Sequence, residues 1–252
     1  MFALDAPEPN RSQRRGLLSV ANVIRGANPY ALYESQKIRA GLQGTNRAVP
    51  TDGSDKVFDK RPEDIETVIF QQYRGIDLSL MEGPGAGQQI LQRLFEDGES
   101  YAVEKEIQDL LLNPDAVDIT PTPGTPVKNL KHALGLLEQY AADNYTGEPI
   151  ISGNLFATLL IPELQAKPDG SLETVLGTPI AAAAGYGAEG PGAASAAAGT
   201  AWLYITGQIN IWESPVALHS GPALEKNREL TLAEKAYAAS LDGFAAAILV
   251  GI

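Results

Sequence analysis

The sequence predicts an α+β fold, and three observations carry that prediction. From Lys56 to Leu80, β-branched and aromatic residues cluster in two runs around a charged turn, which is the composition of a strand pair. Residues 88 to 112 repeat apolar side chains at helical spacing and form a single long helix. Two further strand-forming stretches, 201 to 216 and 234 to 252, close the chain.

In chain order, residues 1 to about 55 are rich in Gly, Pro, Asn and Arg and form an arm rather than a domain. Its one periodic stretch, "RGLLSVANVIRG", predicts a short helix through Leu17, Leu18, Val20, Ala21 and Ile24. An arm of this composition frays on an isolated subunit, so a neighbouring subunit is its expected anchor. The "DKRPED" turn then joins the two arms of a hairpin, whose second strand continues through Ile76, Leu78 and Leu80. The long helix carries Ile90, Leu91, Leu94, Val103, Ile107, Leu110 and Leu111 on one side, softens at Gly98 and stops at Asn113 and Pro114.

A second helix is expected to start with Thr125 as N-cap and Pro126 at its first position, with Val127, Leu130, Leu134, Leu137 and Ala141 turned inward. A strand at Glu148 to Ile151, a short helix from Leu155 to Leu160, a "KPDG" turn and an extended stretch at 172 to 180 follow. Residues 181 to 201 are Gly/Ala-rich and read as a loop, because Gly and Pro interrupt any helical run.

Composition narrows the function. A chain of 252 residues buries a large core without a disulfide or a metal, and the absence of Cys removes thiolate chemistry. No 18-residue apolar run offers a membrane span, and the N-terminus lacks an export signal. The net charge of −12 is uneven: residues 1 to 50 hold seven basic and three acidic side chains, leaving 12 basic and 28 acidic in the body. An acidic body repels phosphate backbones, which argues against sequence-reading DNA binding. Arg11, Arg14 and Arg15 form either a solvated cluster or a contact with an acidic neighbour.

Chemistry-bearing patterns are few. "EGPGAGQQ" places Gly83, Gly85 and Gly87 between a strand and a helix, but a dinucleotide turn would need a third Gly where Gln88 stands. No Lys-Ser/Thr pair follows, so a Walker loop is excluded, and a flexible strand-to-helix turn is the competing reading. His132 falls on the second helix and His219 in a loop, in no catalytic or metal-ligand spacing. Glu104, Glu106 and Asp109 read as carboxylates on a solvated helix face. Trp202, Tyr204 and Trp212 have strand spacing without interleaved cations, which favours core packing over base stacking. No catalytic, cofactor or metal site is expected.

The order of elements resembles the major capsid proteins of tailed bacteriophages, the Hong Kong 97 fold, and most nearly those of phages infecting actinobacteria. The matching stretches are "FEDGESYAVEKEI" (95–107), "LKHALGLLEQYAAD" (130–143), "LETVLGTPIAAAAGYG" (172–187), "AWLYITGQINIWESPV" (201–216) and "LTLAEKAYAASLDGFAAAILV" (230–250). The resemblance implies an N-terminal arm at 1–50, an E-loop at 51–76, and a spine helix with part of the P-domain at 77–125. It further implies an A-domain at 126–200, and a P-domain return with a closing A-domain strand at 201–252.

It implies a shell subunit that forms pentamers and hexamers around double-stranded DNA, with a separate scaffolding protein and a portal. Encapsulin nanocompartments share the fold and stand as the alternative, and a nucleotide-binding enzyme using Gly83 to Gly87 is the alternative of another class. Lys56, Asp59, Lys60, Arg61, Glu63 and Asp64 would pair with a neighbour's surface, as would the arm's arginines. Gly185, Gly187, Gly190, Gly192 and Gly199 would let one loop adapt to both kinds of ring. Some such shells join an E-loop Lys to a neighbour's Asn with help from a Glu; here Lys56 or Lys60 would be the amine, Asn210 or Asn227 the acceptor, and Glu213 or Glu225 the helper. Because the chain opens with Met1, no scaffolding segment is expected to have been cleaved from it.

Overall fold

The computed structural model describes residues 15–29, 38–39, 64–65, 67–79, 86–223 and 227–252. In the arm, a single 3-10 turn at Leu17–Ser19 gives way to strand β1 (Asn22–Arg25), not to the helix expected there. The β-branched pair Val23 and Ile24 suits the pleated backbone, and a partner strand satisfies it. Strands β2 (Ile38–Arg39) and β3 (Asp64–Ile65) pair antiparallel, and β4 (Thr67–Ser79) continues the expected hairpin strand through Ile76 and Leu78. The turn at 59–63 and Leu80 lie outside the described residues.

Helix α1 (Ala86–Ile107) passes Gly98 without a break, widens into a π turn at Gln108–Leu112 and ends in the short turn Asn113–Asp115. A wider turn is what Pro114 needs, since its ring would meet the carbonyl of Leu110 in a regular helix. Leu91, Phe95, Val103, Ile107, Leu111 and Leu112 are buried, whereas Ile90, Leu94 and Leu110, expected inside, are at least two-fifths exposed.

After β5 (Val117–Asp118) comes helix α2 (Leu130–Asn144). Its N-cap is Asn129, whose Oδ1 accepts the His132 N–H at 3.2 Å, so the start expected at Thr125 is too early. The reason is a competing claim on the backbone: Val127 N donates to Leu249 O at 2.9 Å and Val127 O accepts from Gly251 N at 3.0 Å. Next come β6 (Ile150–Asn154), α3 (Leu155–Leu159), β7 (Gln165–Ala166), β8 (Leu172–Glu173) and β9 (Pro179–Ala183). Strands β10 (Thr200–Thr206), β11 (Ile209–Glu213), β12 (Ala217–Ala223), β13 (Arg228–Leu241) and β14 (Ala245–Gly251) complete the chain. His219 therefore sits on a strand rather than in a loop.

Two large sheets result. One orders its strands β5-β14-β10-β6-β9-β8-β7; in the other, β13 pairs with β11 and β12 on one side and with β4 on the other, and β1 lies outside β11. Each closing stretch expected as one strand is two, with β10 and β14 in the seven-stranded sheet and β11 and β13 in the five-stranded one. Of the stretch 201–216, the five-stranded sheet takes the part from Ile209 onward.

Both faces of the seven-stranded sheet are covered, so its strands are apolar without alternation. One face sets Ala183, Trp202, Tyr204, Ala247 and Leu249 against α1; the other sets Ile180, Leu203, Ile205, Ile248 and Val250 against α2 and α3. Trp202, Tyr204 and Trp212 are core residues, as their spacing suggests.

Candidate functional site

Ser100 and Glu104 on α1 and Gln108 at the start of the π turn stand four residues apart and therefore share one face, beside the apolar stripe of Val103, Ile107 and Leu111. That face is not solvated. Glu104 is 1% exposed, covered by the arm on one side and by the segment after β9 on the other. Its Oε1 accepts from Ser100 Oγ at 2.9 Å and from the Leu17 backbone N–H at 3.0 Å, and its Oε2 accepts the Gly185 N–H at 3.3 Å. Burial pushes the Glu104 carboxyl above its ordinary pKa, and the three donors pull it back down. The reading of Glu104 as a surface carboxylate is overturned. Its place in a Ser-Glu-Gln stripe flanking the apolar face is the sequence signal that could have shown it.

One turn further, Gln108 holds the same segment. Its Oε1 accepts the Gly187 N–H at 2.6 Å, and its amide donates to Glu189 O at 2.7 Å and to Tyr204 Oη at 3.2 Å. Tyr204 in turn donates to Asn113 Oδ1 at 2.7 Å, beyond the π turn, and burial pushes its hydroxyl pKa upward. A π turn at such a junction rotates the helix face, which seats Gln108 and Asn113 on one partner.

The arm completes the seam. Leu17 is fully buried, and Arg15 O accepts the Ala182 N–H at 2.7 Å, extending the edge of β9. Strand β1 runs parallel to β11, with Asn22 opposite Asn210 and Arg25 opposite Glu213. Arg25 Nε meets Glu213 at 3.0 Å; Glu213 also takes Lys235 Nζ at 3.0 Å; Lys235 pairs with Glu99, which accepts from Tyr237 Oη at 2.7 Å. Two cations and two carboxylates thus neutralise one another where β1, β11, β13 and α1 meet. Residues 15–29 are anchored by their own subunit, which corrects the expectation that a neighbour is needed to hold this part of the arm.

Other sequence-derived candidates scatter. The Arg15 side chain is exposed, and Asp64 lies opposite Arg39 in the β2–β3 pair. Arg11, Arg14, Lys56, Asp59, Lys60, Arg61, Glu63 and Glu225 lie outside the described residues, as do Gly83 and Gly85. Gly87 is in the first turn of α1, where a Cβ would stand 2.7 Å from Thr231 Oγ1, so it serves helix-to-sheet packing. Asn210 accepts from Asn22 and Gln208 at 2.9 and 3.0 Å; Asn227 occupies an exposed turn at φ 52°. Asn210 and Glu213, three apart on a strand, point to opposite faces, and Glu213 is committed to Lys235.

Of the loop glycines, Gly185 and Gly187 are pinned to α1, and Gly190 lies so close to the Trp202 indole that a side chain would collide with it. Gly192 and Gly199 take positive φ on exposed turns. Among the described residues, no group of three His, Asp or Glu is placed to hold a metal ion, and no helix is long and apolar enough to cross a membrane.

No protein-family model matches the chain, and no curated protein matches it. Solved structures do. The capsid of an empty GTA particle matches with a TM-score of 0.61 at 12% identity, over 100% of this chain and 95% of that one. A structure of Mycobacterium phage Che8 matches at 0.56 and 10% identity over 98% of both chains, and the capsid of Ralstonia phage GP4 at 0.54 and 9% over 100% and 97%. The likeness is end to end, which makes it one of fold and topology rather than of a shared module. The chain has the Hong Kong 97-type fold of tailed-phage major capsid proteins.

Proposed function

We propose that this chain is the major capsid subunit of a tailed-phage head, with a structural rather than catalytic role. The single observation that carries the reading is the end-to-end likeness to capsid chains. The subunit closes into pentamers and hexamers, in the virion capsid, around double-stranded DNA that it holds without reading sequence. Assembly takes place in the cytoplasm of the bacterial host, on a separate scaffolding protein and around a portal.

In this reading residues 1–50 are the arm, 51–76 the E-loop, 77–125 the spine helix with part of the P-domain, 126–200 the A-domain, and 201–252 the P-domain return with the closing A-domain strand. In the Gly185 to Gly199 loop, the exposed part from Gly192 to Gly199 lies at the ring axes while Gly185, Gly187 and Gly190 anchor it to its own subunit, and the charged residues 56–64 cross to a neighbour. Each exposed ion pair contributes only about 0–1 kcal/mol, so closure rests on many contacts repeated per subunit. The acidic body leaves packaged DNA free to exit.

Sedimentation velocity on the purified chain tests this. Five- and six-membered rings in exchange with closed shells support it; a small uniform shell filled with protein cargo would point to a nanocompartment instead. A monomer that sediments unchanged at every salt concentration, and that ATP or NAD stabilises against heat, would replace it with the nucleotide-binding reading.

A further inference from the structure

Glu104 is a meeting point of two segments that are otherwise far apart in the chain. Its Oε1 serves the arm through Leu17 N, and its Oε2 serves the segment after β9 through Gly185 N. Both approaches are made by backbone with no side chain in between. A Cβ at Gly16 would collide with Oε1, and one at Gly185 would stand 2.6 Å from both the Glu104 Cβ and the Tyr101 carbonyl oxygen. At 1% exposure the carboxylate has no water in place of an absent donor. Removal of either segment would expose the carboxylate and take one backbone donor from it.

We propose that Glu104 couples the arm to the Gly185 loop, so that undocking residues 15–17 loosens Gly185 and undocking Gly185 loosens residues 15–17. The coupling is reciprocal because one group supplies both contacts. It is also local. Gly187 and Glu189 are held by Gln108, one turn away, so they keep their anchor when the arm leaves. Taken with the shell reading above, on which this consequence rests, seating of the arm would set the loop that meets its copies at the ring axes.

The test is amide-resolved hydrogen exchange on the full chain, unassembled, in which Gly16→Ala drives a methyl against Glu104. The expected result is that Leu17 and Gly185 exchange faster together, each by about tenfold or more, while Gly187 and the β14 amides change by less than about twofold. Gly185→Ala is expected to accelerate Leu17 in return. Leu17→Ala, which weakens the arm's anchor without a clash, is expected to move the same two amides and serves if Gly16→Ala unfolds the chain. In a Glu104→Gln background, Gly16→Ala should add nothing further at Gly185.

Acceleration at Leu17 with Gly185 unchanged overturns the proposal. So does acceleration spread evenly over Gly187 and β14, because that is global destabilisation. The outcome is separable from the shell reading. A permanent monomer with paired exchange keeps the coupling and removes the shell; shells whose two amides move independently do the reverse.

Discussion

At the scale of single residues, buried charge fixes how the pieces of this subunit meet. Burial raises the Glu104 pKa above its ordinary 4.5, so the folded chain holds that proton more tightly than the unfolded one. The resulting stability is complete below the unfolded value and is lost as pH rises through the raised one. The urea midpoint is therefore expected to fall, as pH rises above 4.5, by more in the native chain than in Glu104→Gln; equal falls would show that another group is responsible. Lys235 makes the second case, since it neutralises Glu99 and Glu213 inside the body. Lys235→Met is expected to cost about 3–5 kcal/mol in urea unfolding, because Glu99 and Glu213 then face each other without the ammonium between them, leaving Arg25 on Glu213 and the Tyr237 hydroxyl on Glu99. Neither role could be read from local spacing. Glu104 looks like any carboxylate of a charged helix, and the partners of Lys235 lie 136 and 22 residues away in the chain.

Among the elements, α1 was legible because its apolar residues recur at helical spacing, whereas the stretch 181–201, expected as a loop throughout, is one only at 184–199: Ala181 to Ala183 are paired with β6 in β9, and Thr200 and Ala201 open β10. What misled was long-range pairing. The start of α2 moves to Asn129 since β14 claims the backbone of Val127, and the arm's helical pattern loses to the parallel partner that β11 offers. The two closing stretches each looked like one strand, but Gly207 N bonds Phe244 O at 2.9 Å, and there both stretches cross between sheets together. The loop at 184–190 is an element of the same kind, shaped by what lies beneath it. Gly190→Ala is expected to cost about 1–3 kcal/mol by overpacking Trp202. The change should appear as an altered near-ultraviolet tryptophan signal, and an unaltered signal with full stability would show the loop free of the indole.

For the whole molecule, the order of elements was more informative than any motif. The succession of a long arm, an extended hairpin, a long helix and an α/β body marked the capsid fold, which solved structures match end to end at about a tenth of identical residues. Such likeness at such identity reflects burial pattern and topology, which many sequences satisfy, rather than particular side chains. The contacts proposed between copies were not legible to the same degree, because they would depend on surfaces that a single chain presents but does not fill. The most direct test of the account is therefore electron microscopy of the purified protein alongside light scattering. It predicts closed shells tens of nanometres across with five- and six-membered rings, consistent with the scale of a phage head; a stable monomer or dimer at every salt concentration would contradict it.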